Sequence, residues 1–114
     1  MKRTAITIVK STLQFNYFQF GQITVKPYSQ YDVVVELDFY TLTYRACDPI
    51  LGTLAVAIDR DDLFNQIHRN VVTIYVQYCE SLTNDSYSHF GVSANDEYHD
   101  RIRNHMLDHF YRES

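Results

Sequence analysis

The spacing of hydrophobic and polar positions changes several times along the chain, and each change predicts an element. Thr4 to Lys10 alternates Ile6 and Ile8 with Thr7, the period-two pattern of a first strand. A second run, Leu13 to Phe20, alternates Leu13, Phe15 and Tyr17 before Phe18 and Phe20 take the other parity. A bulge or bend near Tyr17–Phe18 reconciles the two phases. Gly21 then turns the chain into Gln22 to Lys26, where Ile23 and Val25 share a face, and Pro27 ends that strand or marks it as an edge.

The clearest alternation runs from Tyr31 to Cys47. Val33, Val35, Leu37 and Phe39 lie on one side with Asp32, Glu36 and Asp38 on the other, and Tyr40, Leu42 and Tyr44 continue on the acidic side. The pattern reads as one long strand with a bulge, a strong bend or a second layer over its distal half. Cys47-Asp48-Pro49-Ile50-Leu51-Gly52 is a turn, followed by a strand with Leu54, Val56 and Ile58 on one face.

Asp59 to Asp62 starts a short helix. Asp59 can cap its free amides, and acids in the first turn suit the positive end of the helix dipole. Leu63, Phe64 and Ile67 form its buried side. Val71 to Cys79 returns to β-like alternation, Ser81 to Ser88 reads as a loop, and Ser93 opens a final helix with Asp96 at the third position of a capping box. Residues 1–114 therefore read as a single compact α+β domain. The expected architecture is a mostly antiparallel sheet of about five or six strands, a short middle helix, and a longer C-terminal helix packed beside or across it.

Composition supports a packed domain: 46% hydrophobic against 21% charged residues is a globular balance. Ten Tyr and seven Phe with no Trp suit both a small core and a contact surface, because a Tyr ring packs while its hydroxyl stays wet. The start, Met1 to Lys10, lacks the long apolar region of a secretory signal, and no run is long enough to cross a bilayer. Cys47 and Cys79 read as two buried thiols in a reducing, cytoplasmic compartment.

Charge is unevenly spread within a net −4. Lys2, Arg3, Lys10 and Lys26 occupy the first 26 residues with no acid, whereas residues 27–62 carry seven acids against Arg45 and Arg60. A chain gripping a nucleic-acid backbone over its whole face is normally basic, and the acidic middle argues against that role. The same middle complements a basic protein groove.

Residues His99 to Phe110 hold the densest set of chemical groups, with three of the five histidines. At about 100° per residue, Tyr98, Ile102, Met106 and Phe110 form one seam of a helix, with His109 near its centre, His105 beside it and His99 on the opposite flank. His105 and His109, four apart, are a valid pair of metal ligands, but a site needs a third from His68, His89 or a strand carboxylate. The Glu that follows the first His in zinc proteases is absent. These imidazoles are better explained as the semi-polar edge of a helix–sheet contact.

Other patterns carry less chemistry. Glu36 and Asp38 share a strand face, which is acidic surface rather than a tuned acid–base pair. Asp59, Asp61 and Asp62 lack the glycine and terminal Glu of a calcium loop. Gly52 and Gly91 stand without a phosphate-loop lysine, and neither cysteine has a local base.

The function expected from these residues is noncatalytic protein interaction, through a stripe formed by Asp32, Glu36, Asp38, Tyr40, Tyr44, Asp59, Asp61 and Asp62. Three Lys against seven Arg also lean toward a contact-making surface. The partner is a basic or nucleic-acid-binding protein whose groove the chain blocks, in the manner of small inhibitors carried by phages or mobile elements. A homodimer through an aromatic face is an equal reading. No cofactor and no membrane association are expected. The alternatives are a small metal-dependent hydrolase or nuclease using His105 and His109, and a single-strand nucleic-acid-binding module using the basic N-terminal strands with Phe15, Tyr17, Phe18 and Tyr28.

Overall fold

A computed structural model describes residues 8–80 and 96–113. Strands β1 (Ile8–Phe15), β2 (Phe18–Phe20), β3 (Ile23–Pro27) and β4 (Tyr31–Asp38) make one long hairpin that changes sheet partway, with β1 paired to β4 and β2 to β3. The change falls at Asn16–Tyr17, which are exposed between buried Phe15 and Phe18. The parity shift read from the sequence is therefore a real bend. Gly21, at φ 64, takes the first position of the two-residue turn between β2 and β3, where a side chain would be strained.

β5 (Thr43–Asp48) and β6 (Gly52–Ala57) complete a four-stranded antiparallel sheet ordered β1-β4-β5-β6. Helix α1 (Arg60–Tyr75) follows and widens into a π-helical turn at Val76–Glu80. Helix α2 (Asp96–His109) leads into β7 (Phe110–Arg112), which pairs with β3 in a second antiparallel sheet ordered β2-β3-β7. One core joins both sheets and both helices: Phe18 and Val25 from the smaller sheet, Val33 and Ala46 from the larger, Ile67 and Val71 from α1, and Met106 from α2.

The α+β class holds, with corrections. Seven described strands form two sheets rather than one sheet of five or six. Tyr31 to Cys47 is a hairpin, not one strand: its change of phase comes from a turn at Phe39–Leu42. Asp38 builds that turn, its Oδ1 accepting from the Tyr40 and Thr41 N–H groups at 2.9 and 3.4 Å while its carbonyl accepts from Leu42 N–H at 2.7 Å. Val71 to Tyr75 is helix. Leu63, Ile67, Val71 and Tyr75 are four apart and all buried, so packing along one helical face overrides the β-branched preference of Val71, Val72 and Thr73. The middle helix is accordingly the longer one, 16 residues against 14 described in α2.

Strand β1 runs unbroken from Ile8 to Phe15, joining what reads in sequence as two strands; Thr4 to Thr7 lie outside the described residues. In β6 the buried residues are Leu54, Ala55 and Ala57, while Val56 and Ile58 face out. A register shift opposite Ala46/Cys47 changes the parity there, and the alanines sit on the buried face of β6, the strand against which α1 packs. The expected loop at Ser81 to Ser88 and the helix start at Ser93 also lie outside the described residues.

Candidate functional site

The end of the four-stranded sheet where β4 turns into β5 gathers side chains that a buried core would ordinarily claim. Tyr40 is 85% exposed, Leu42 64% and Phe39 52%. Register places the closing pair Asp38–Thr43 one step from Tyr44–Ala57, so Ile58, 79% exposed, emerges at the same end. Leu42 adopts φ 58, a left-handed conformation that costs a side-chain-bearing residue roughly 1–2 kcal/mol relative to an ordinary one.

The acidic start of α1 follows Ile58 directly. Asp59 is the helix cap, accepting from the Asp61 and Asp62 N–H groups at 2.7 and 3.1 Å. Asp61 and Asp62 are exposed in the first turn, and Asp62 also accepts from the Gln66 side chain at 3.2 Å. Asp61 stands at the mouth of an open groove of about 460 Å³ between α1 and the sheet, whose apolar lining includes Leu13, Leu37, Leu63 and Phe64.

The remaining members of the expected stripe separate. Glu36, on the outer sheet face, lies 2.7 Å from Arg45 and 3.7 Å from Lys10; the Arg45 hydrogen bond holds its carboxyl below the usual range. Asp38 is engaged by the hairpin turn. Asp32 is exposed at the far end of β4, opposite Gln14. Tyr44 is on the other face of the sheet, half-buried against the core and lining the groove. Tyr40, Asp59, Asp61 and Asp62 are thus brought to one end. Phe39, Leu42 and Ile58 join them there without a sequence signal, because an exposed hydrophobe at a strand end reads as one more core position.

In the C-terminal helix, Ile102, Met106 and Phe110 are buried as the seam requires, but Tyr98 is 48% exposed and His109 is exposed rather than central. The helix ends at His109 and the chain turns into β7, so the helical projection fails at its last residue. His105 faces the sheet, its Nε2 3.5 Å from Asp48 Oδ1 and 3.4 Å from the Tyr31 hydroxyl. Burial pushes its pKa down, with Asp48 acting in the opposite direction. His109 Nδ1 lies 2.9 Å from the His105 carbonyl oxygen, and the two rings are 4.6 Å apart. Among the described residues no three His, Cys, Asp or Glu side chains are grouped to hold a metal ion. His68 lies elsewhere, against Gln19, and His89 is outside the described residues.

The basic N-terminal residues do not form a described patch. Lys10 pairs with Glu36 in the larger sheet, Lys26 with Glu113 at 3.2 Å in the smaller, and Lys2 and Arg3 lie outside the described residues. Phe15 and Phe18 are buried, whereas Tyr17 and Tyr28 are exposed. Cys47 and Cys79 are half-buried free thiols, and burial pushes Cys79 up to about 11, away from a reactive thiolate. Among the described residues no helix is long and apolar enough to cross a membrane. Comparison with protein-family models, with curated proteins and with solved structures returned no match to this chain.

Proposed function

We propose that this chain is a noncatalytic protein-interaction domain that docks into a basic groove of its partner, in the manner of an acidic inhibitor or mimic. The observation that carries the reading is the meeting of exposed Tyr40, Leu42 and Ile58 with Asp61 and Asp62 at one end of the larger sheet. Exposed apolar area of this kind, beside a mainly acidic rim in which Asp59, Asp61 and Asp62 outnumber the exposed Arg60, is how an interface core and its steering rim are built. The left-handed Leu42 supports the same reading. Glycine or asparagine would fit that backbone at lower cost, and a large hydrophobe held there instead is strain accepted at a contact position.

Affinity capture from the native host tests this with wild type beside L42G and I58D. A specific partner is expected with wild type, weakened by added salt and lost by at least about 30-fold in either variant, as for contacts worth about 2 kcal/mol or more. L42G is expected at the same time to melt higher than wild type, since it relieves the positive φ. No partner at micromolar concentration, or capture indifferent to both substitutions, defeats the proposal.

A further inference from the structure

Helix α1 closes the edges of two strands with its own side chains. On the outer edge of β6, the Val56 N–H donates to Gln66 Oε1 at 3.3 Å and Asn70 Nδ2 donates to the Leu54 carbonyl at 2.5 Å. On β2, the Gln19 N–H donates to His68 Nδ1 at 3.0 Å. Strand β1 is different: it pairs with β4, and among the described residues nothing hydrogen-bonds its other edge. It carries no proline or bulge, and its only charged residue is Lys10, so the usual guards of a bare edge are nearly missing.

The groups it presents follow from the ladder. Val56 turns its N–H outward, so its pair with Arg45 is not hydrogen-bonded; Arg45 then bonds Glu36, and Lys10 turns its groups away from β4. By the same alternation Ile8, Lys10, Thr12 and Gln14 all point N–H and C=O outward. We infer that β1 pairs antiparallel with β1 of a second copy of this chain, joining two four-stranded sheets into one. This surface is separate from Tyr40, Leu42 and Ile58, and stands or falls independently of the partner proposed above.

Charge and pattern favour a copy of itself as the occupant. With Ser11 on the two-fold axis, Lys10 faces the partner's Thr12, Val9 faces the partner's Leu13, and no like charges are opposed. Sliding by one pair toward the N-terminus would set the two Lys10 side chains against each other, which costs stability. Lys10 is already partly neutralised by Glu36 at 3.7 Å. Val9 and Leu13 line the groove beside α1, so the join continues each groove's apolar wall into the other copy. In this register Ile8 to Gln14 pair, seven residues that give a joined edge about 24 Å long. An edge of this length makes a small interface, at the low end of specific associations, for which weak, reversible pairing is expected.

Sedimentation equilibrium of the full chain over a concentration series tests the pairing. Wild type is expected to dimerise in the micromolar range. T12P removes an outward N–H without touching the β1–β4 ladder, so it should stay folded by circular dichroism and become monomeric. T12E, facing the partner's Lys10, should tighten the dimer several-fold, and T12K should loosen it several-fold, the two converging at high salt. These two keep the inference testable even if T12P fails to fold. A strict monomer at all concentrations, a dimer unaffected by a folded T12P, or T12E and T12K shifting in the same direction would each overturn it.

Discussion

Asp48 is 4% exposed, yet its Oδ1 accepts from the Ile50 and Leu51 N–H groups at 2.7 and 2.8 Å and stands 3.5 Å from His105. A buried carboxylate so partnered satisfies the turn between β5 and β6 and gives α2 a polar contact with the sheet. His105 and His68 set the response to acid. Burial lowers both pKa values below 6.5, so the unfolded chain takes up protons first as pH falls. Stability is therefore full above about pH 6.5 and declines from there toward the folded-state values, before most carboxylates titrate. His68 adds a structural reason: its Nδ1 must stay unprotonated to accept from Gln19. The urea midpoint should drop between about pH 7.5 and 5.5, and an H68Q/H105Q double variant should flatten that slope; an unchanged slope would assign it to other groups.

At the scale of elements, α1 binds the sheets by hydrogen bonds as well as by its apolar face. Q66A should raise the exchange rate of the Val56 amide about five- to tenfold while leaving amides paired within the ladder unchanged, consistent with loss of about 1 kcal/mol of local protection. Hydrogen exchange read residue by residue checks this, and a uniform increase across the sheet would point to global destabilisation instead. The same helix marks how far sequence reasoning reaches. Asp59 as cap and Leu63 and Ile67 as buried positions are legible from local pattern, whereas Phe64, expected on the same buried side, is 46% exposed; the bend at Tyr17–Phe18 is legible from its change of parity. Val71 to Tyr75 is not, because β-branched residues mimic a strand until one knows that Ala55 and Ala57 lie on the face α1 packs against. The hairpin at Phe39–Leu42 is hidden for another reason: Leu42 occupies a left-handed position where glycine or asparagine would have announced the turn. Tyr40 stands exposed at the hairpin end, while the outward position of Ile58 follows only from a register shift in β5–β6.

Across the whole molecule, Phe18 sits where the two sheets meet. It is fully buried, with ring centres 4.8 Å from Phe15, 5.8 Å from Phe110 and 6.1 Å from Tyr31. It thereby touches the start of β4, the end of β1 and the strand that follows α2. F18A should cost about 3–5 kcal/mol, as truncation of a buried aromatic does. Both sheets should still melt together, with far-ultraviolet circular dichroism and tyrosine fluorescence giving one midpoint. Separate midpoints would mean that the smaller sheet unfolds on its own.

The edge-closing role of α1 also has a temporal side. Strands β1 to β6 all precede α1 in the chain, so during synthesis they leave the ribosome before the helix that covers β2 and β6. For that interval the nascent sheet has bare margins on both sides, and neighbouring chains on one message could join through them. Slow translation through Arg60–Tyr75 would lengthen the exposure, whereas a chaperone that shields strands until Tyr75 has emerged would shorten it. Substitutions that weaken α1 should therefore lower soluble yield more than their effect on the finished fold alone would suggest.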